Sequence, residues 1–130
     1  MKKLIVAISM VSAALLLAGC SSTSTVTNLD AAAFSQETAK SGVITLDVRT
    51  PGEYMTGHIQ GAINIDVESL QFDTEIAKLD KNATYAVYCR SGRRSVVAVD
   101  TMAKNGFTKL FNLTNGVIDW QISNLPLVTS

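Results

Sequence analysis

Cysteine is scarce in this chain of 130 residues, with only Cys20 and Cys89 present. At most one disulfide is open to it, and none if either thiol is otherwise engaged. Histidine occurs once, as His58, so any cysteine–histidine pair would have to use that residue. His58 lies between Gly57 and a strand-like segment and is read as structural. There is no excess of basic charge, with 11 Lys and Arg against 11 Asp and Glu, which argues against a nucleic-acid surface. Beyond the first twenty residues no apolar run is long enough to cross a membrane. No internal repeat is visible, and the length suits one domain.

The N-terminus departs from the rest in composition. Lys2 and Lys3 precede Leu4 to Ala18, an uncharged run of apolar and small residues. That run is shorter than the roughly 20 residues a spanning helix needs, and a basic start followed by it has the form of a secretory signal peptide. It ends in Leu17-Ala18-Gly19-Cys20, which resembles a bacterial lipobox. The expected organisation is a lipoprotein signal peptide over residues 1–19, a lipidated Cys20 with a Ser/Thr tether over 20–25, and a folded domain over 26–130. Losing residues 1–19 leaves nine basic and eleven acidic residues. A five-residue tether reaches at most about 17 Å, so the domain would sit close to the membrane, held by more than one acyl chain. Ser21, rather than aspartate, follows the cysteine. By resemblance to such lipoproteins this points to the periplasmic side of a bacterial membrane, the outer membrane before the inner. Cys89 is then the only free thiol in an oxidising compartment.

From Val26 on, strand and helix patterns alternate. Helices are expected over Asp30 to Lys40, from Thr50 to Gly57, in broken form over Val67 to Leu79, over Ser95 to Lys104, and over Val117 to Ile122. Thr50, Pro51 and Glu53 have the spacing of a capping box with proline at the first helical position. Strands are expected over Val43 to Val48, Ala62 to Ile65, Tyr85 to Tyr88 and Lys109 to Leu113. The apolar residues of the Ser95 helix cover most of its circumference, which predicts a largely buried helix. Alternation of this kind implies an α/β fold, a parallel sheet covered by helices on both faces. Active sites of such sheets lie beyond the carboxyl ends of the strands. Two predicted strands bring reactive side chains there, at Asp47 and at Cys89.

Cys89 opens a tight loop, Arg90-Ser91-Gly92-Arg93-Arg94, between a strand and a helix start. Free N–H groups and the helix dipole gather an anion at such a place. Gly92 allows the loop amides to converge as a nest. Arg90, Arg93 and Arg94 add three positive charges. Each effect favours thiolate over thiol, so Cys89 is the expected nucleophile.

Cys89-Arg90-Ser91-Gly92-Arg93-Arg94-Ser95 resembles the active-site loop of rhodanese-type sulfurtransferases. Asp47-Val48-Arg49-Thr50-Pro51-Gly52-Glu53-Tyr54 with Gly57-His58-Ile59-Gln60-Gly61-Ala62-Ile63-Asn64-Ile65 resembles that family's first signature. Gly116-Val117-Ile118-Asp119-Trp120 and Leu125-Pro126-Leu127-Val128 resemble its last. The resemblance implies a rhodanese-like three-layer fold with a parallel sheet of about five strands. It implies a sulfane sulfur moved from an anionic donor such as thiosulfate, through a Cys89 persulfide, to cyanide or a thiol, including a protein thiol. No metal and no organic cofactor are implied. Arg90 and Arg93 are expected at the mouth, with Arg94 bracing the loop. Asn115 and Asn124 stand where the family commonly has glycine, and asparagine tolerates a left-handed backbone better than other residues.

Asp47 and Arg49 are candidate supporting residues, Asp47 as a hydrogen-bond partner of the active loop and Arg49 as a buried ion-pair partner of Glu53. Trp120 is read as core. Two rival functions exist. A cysteine phosphatase or arsenate reductase needs a roomier loop with arginine at the sixth position after cysteine, where this chain has Ser95. A non-catalytic module would bind a protein partner, and such modules often lack the cysteine; a sulfur carrier would keep it and pass its sulfur readily to a specific protein thiol.

Overall fold

A computed structural model describes residues 25–130. The expected signal peptide and Cys20 lie outside the described residues. Five strands form one parallel sheet: β1 (Val26–Leu29), β2 (Val43–Asp47), β3 (Ile63–Asn64), β4 (Thr84–Tyr88) and β5 (Lys109–Leu113). Their order is β1-β5-β4-β2-β3. The helices are α1 (Ala31–Thr38), α2 (Pro51–Thr56), α3 (Phe72–Ala77), α4 (Arg93–Lys104) and α5 (Gly116–Ile122). The expected α/β architecture is what forms.

The central strand β4 shows why both faces carry helices. Its side chains alternate, and those of Tyr85 to Tyr88 are all fully buried. Tyr85 and Val87 pack with Phe72 and Ile76 of α3 and with Ala98, Val99 and Met102 of α4. Ala86 and Tyr88 pack on the other face with Phe34 of α1 and with Val117 and Trp120 of α5. Cys89, the next residue in the alternation, points to the α4 face. On the opposite face Phe34 meets Tyr88 and Trp120 edge-on, at 6.3 and 6.4 Å between ring centres. Trp120 Nε1 donates to the Pro126 carbonyl at 2.9 Å, which places the C-terminal tail against the core.

Local chemistry starts and stops the helices; α1 is shorter than the expected Asp30 to Lys40, with Asp30 outside it and Ala39 at its end. Asp30 caps α1 by accepting the Ala33 N–H at 2.8 Å. Thr50 and Glu53 form the capping box of α2, with Pro51 at its first position and Gly57 at its end.

Three expectations need correction. The segment Val67 to Leu79 is helical only over Phe72–Ala77, because turns occupy the residues before it. Helix α4 starts at Arg93, two residues earlier than expected, and is not buried all round. Val96 and Val97 are 54% and 56% exposed; only the stripe through Ser95, Ala98, Val99 and Met102 faces the sheet. β-Branched residues on the outer face inflated the apparent apolar surface. Finally, only Asn124 adopts a left-handed backbone, at φ 57°. Asn115 has φ −111°, and the left-handed turn at that point falls to Gly116 instead.

Candidate active site

Strand β4 delivers Cys89 to the carboxyl edge of the sheet, and α4 begins four residues later. The short connection forces the loop to curl back over the cysteine. Gly92 turns it with φ +97°, and a Cβ there would collide with the Thr114 carbonyl. Gly116, at φ +61°, passes so close to the loop that a Cβ would strike the carbonyls of Arg90 and Cys89. That approach lets α5 hold the loop from outside. The Val117 N–H donates to the Cys89 carbonyl at 2.9 Å and the Ile118 N–H to the Arg90 carbonyl at 3.1 Å.

The curled loop turns its own amides inward. The Gly92 N–H donates to Cys89 Sγ at 3.0 Å. Ser95 Oγ lies 3.5 Å from the same sulfur and 3.1 Å from the Gly92 carbonyl. A hydroxyl has one proton to give. With the thiol protonated, S–H donates to Ser95 Oγ, whose own proton goes to the Gly92 carbonyl. With the thiolate, Ser95 turns its proton onto sulfur. Burial pushes the Cys89 thiol up, but hydrogen bonds from Ser95, Gly92 and Ser91 outweigh it, and the group sits below its ordinary value. Cys89 is fully buried, so a reagent reaches Sγ only when the surrounding loop gives.

The three loop arginines do different things. Arg94 grips Glu53 of α2 with two hydrogen bonds of 2.8 Å each, the bidentate fork of a strong pair. Its charge is therefore matched by a carboxylate. Arg90 and Arg93 are exposed and have no hydrogen-bond or ion-pair partner for their guanidinium groups among the described residues. Arg90 borders a cleft of about 310 Å³ between α2 and α5. Arg93 instead borders a separate hollow with Val67, Glu68 and Val97. Ser91 lines a third hollow, beside Ile118 and Ile122.

Asp47 and Arg49 pair with each other. Arg49 Nη2 reaches Asp47 Oδ2 at 2.7 Å and the Gly57 carbonyl at 2.6 Å. Both side chains are nearly inaccessible to solvent. Burial acts against the Arg49 cation, and the Asp47 carboxylate more than restores it. The Tyr88 hydroxyl donates to Asp47 Oδ2 at 2.8 Å and accepts the Ile59 N–H at 3.0 Å. Burial first, and then Asp47, push that phenol far above its ordinary value, so it stays a neutral donor. The expected Arg49–Glu53 pair does not form, because Asp47 is nearer in the chain and already buried. Asp47 makes no side-chain bond to the active loop; Arg49 and Tyr88 occupy its carboxylate. His58 is structural as expected: its Nδ1 lies 2.9 Å from the Tyr54 carbonyl and its ring stacks on Tyr54.

Two contributors were not foreseen from the sequence. Ser95 reaches the sulfur because α4 starts at Arg93 and turns position 95 inward. Glu53, expected as a helix cap and as the partner of Arg49, instead pairs with Arg94.

A parallel α/β domain that holds one cysteine in an inward-facing amide loop at its carboxyl edge is the class this geometry defines. The sequence pattern of the rhodanese-like domain matches residues 30–123. A sulfurtransferase of Allochromatium vinosum is 31% identical over 104 residues, covering 79% of this chain and 95% of that protein. The thiosulfate sulfurtransferase PspE of Escherichia coli is 40% identical over 67 residues, covering 52% of this chain and 64% of that protein. The crystal structure of a rhodanese-related protein from Thermoplasma volcanium superposes with a TM-score of 0.68 at 29% identity, covering 79% of this chain and 98% of that one. The chain belongs to the rhodanese-like family, and it has named sulfurtransferases among its relatives.

The Glu53–Arg94 pair has a pH signature. Arg94 and the Thr50 bonds hold the Glu53 carboxyl down to about 2. A lowered carboxylate stabilises the fold above its unfolded value and loses that contribution as pH falls through the folded one. The Glu53→Gln variant is expected to be about 1–2 kcal/mol less stable near neutrality. The deficit should shrink between about pH 4.5 and 2 in denaturant titrations, the interval that Glu53 spans. A deficit constant across that range would contradict the pairing.

Proposed function

We propose that the protein is a sulfurtransferase that carries a sulfane sulfur on Cys89. The observation behind this reading is the Gly92 N–H aimed at Cys89 Sγ at 3.0 Å, in a loop that lowers the thiol's pKa. The Cys89 thiolate attacks the outer sulfur of a donor such as thiosulfate. The donor's S–S bond breaks and sulfite departs with the electron pair. The new outer sulfur stands about 2 Å beyond Sγ, where the loop amides stabilise its negative charge. Arg90 and Arg93 draw the anionic donor to the mouth. An acceptor, cyanide or a thiol, then attacks that outer sulfur and Cys89 leaves as thiolate. The two half-reactions predict ping-pong kinetics, and no cofactor takes part.

A phosphatase reading fits less well. Both of Arg94's forked nitrogens are committed to Glu53, so that side chain is not free to clasp a tetrahedral oxyanion. A sulfur-carrier role would use the same persulfide with a protein thiol as acceptor.

Treating the protein with thiosulfate should add one sulfur atom at Cys89, read by peptide mass, and none in Cys89→Ser. No adduct, or an equal adduct in the variant, would sink the proposal.

We also propose that residues 1–19 are removed and that Cys20 is lipidated. The domain would then be held on the periplasmic side of a bacterial membrane, the outer before the inner. The supporting observations are the charged start, the apolar run and Leu17-Ala18-Gly19-Cys20. Cells fed labelled fatty acid should label the wild-type protein and not Cys20→Ala; label on both would remove this assignment.

A further inference from the structure

The cleft between α2 and α5 is larger than a small inorganic anion requires. Its volume of about 310 Å³ falls at the lower end of the range that organic ligands occupy. Its walls include part of the reacting loop. Arg90 follows Cys89 in the chain, and Val117 and Ile118, which hold the carbonyls of Cys89 and Arg90, form one side.

The lining carries both signs of charge. Arg90 offers an exposed guanidinium without a partner among the described residues. Glu53 faces it from α2, ionised at any working pH because its pKa is about 2. The Glu53 oxygens are unequally used. Oε2 accepts from Arg94, the Thr50 N–H and the Thr50 hydroxyl. Among the described residues Oε1 accepts only from Arg94, which leaves one lone-pair direction open. Gln121 adds an exposed amide with no side-chain partner among the described residues. Val117, Ile118 and Leu127 supply apolar contact. A plain alkyl thiol would use neither charged end.

We propose that this cleft binds the acceptor, and that the acceptor is a low-molecular-weight aminothiol with a free carboxylate. The carboxylate pairs with Arg90 and the Gln121 amide, the ammonium with Glu53 Oε1, and the carbon chain lies on Val117 and Ile118. This rests on the sulfurtransferase reading above. The acceptor thiolate attacks the outer sulfur of the Cys89 persulfide, and the bond from that sulfur to Sγ breaks. Cys89 departs as thiolate and the acceptor leaves as a persulfide. One S–S bond is exchanged for another, so no oxidant or reductant is consumed.

The test uses protein already loaded with sulfur by thiosulfate. The loaded protein is mixed with L-cysteine, cysteine methyl ester, N-acetylcysteine, 2-mercaptoethanol or cyanide. Loss of the Cys89 adduct is followed, and each rate is divided by the ionised fraction of that thiol. L-Cysteine should saturate and should exceed the ester and the N-acetyl compound by about tenfold in kcat/KM, the worth of one charge-assisted hydrogen bond. In Gln121→Leu, whose side chain is exposed and whose fold should be intact, the preference for cysteine over cyanide should fall about threefold. Equal corrected rates for every thiol would overturn the cleft assignment while cyanide discharge still upheld the sulfurtransferase reading. Failure to load sulfur at all would overturn both.

Discussion

The amide of Gly92 meets the sulfur of Cys89 at 3.0 Å, and much of the molecule is arranged around that contact. The loop must close within the few residues between β4 and α4, which only a left-handed glycine at position 92 allows. It must then be held closed from outside, which Gly116 permits by bringing the first amides of α5 onto the loop carbonyls. Helix α5 is itself fixed by Trp120 in the core and by Asp119, which accepts the Ala31 N–H at 3.1 Å. A substitution in α5 or in the turn before it therefore acts on the sulfur without touching it.

Charge around the loop is divided rather than pooled. Three arginines in six residues look like one strongly cationic mouth. In the fold, Arg94 is matched to Glu53 and serves as a strut between α4 and α2, and the remaining two open on different hollows. The anion stabilisation at Cys89 thus comes chiefly from hydrogen bonds, those of Ser95, Gly92 and Ser91, which act at short range in a place water does not enter. The arginines act further out, on what approaches. Full burial of the sulfur fits this division, since it strengthens each of these bonds.

The fold was largely legible because strand and helix signals alternate and end in clear stops. The Thr50–Glu53 box and the Gly92 turn could be read from spacing alone, as could the placing of Cys89 at a strand end. Partner choice was not legible. Nothing in the spacing of Asp47, Arg49, Glu53 and Arg94 says which acid takes which base. The answer depends on which carboxylate the sheet buries, and Asp47, at the end of β2 beside Tyr88, is the one. The role of Ser95 was not legible because α4 was expected to start at Ser95, whereas it starts at Arg93 and turns Ser95 inward. The apparent all-round burial of α4 failed for a related reason, since valines on an outer face look like core when only composition is counted.

The central claim is that hydrogen bonds from the loop hold the Cys89 thiol below its ordinary pKa. It is tested most directly by the pH dependence of alkylation at Cys89, followed by peptide mass so that Cys20 does not contribute. The account predicts an inflection below the value of about 8.5 for a free cysteine, moving upward in Ser95→Ala. An inflection at or above the free-cysteine value in the wild type, or one that Ser95→Ala leaves in place, would contradict it.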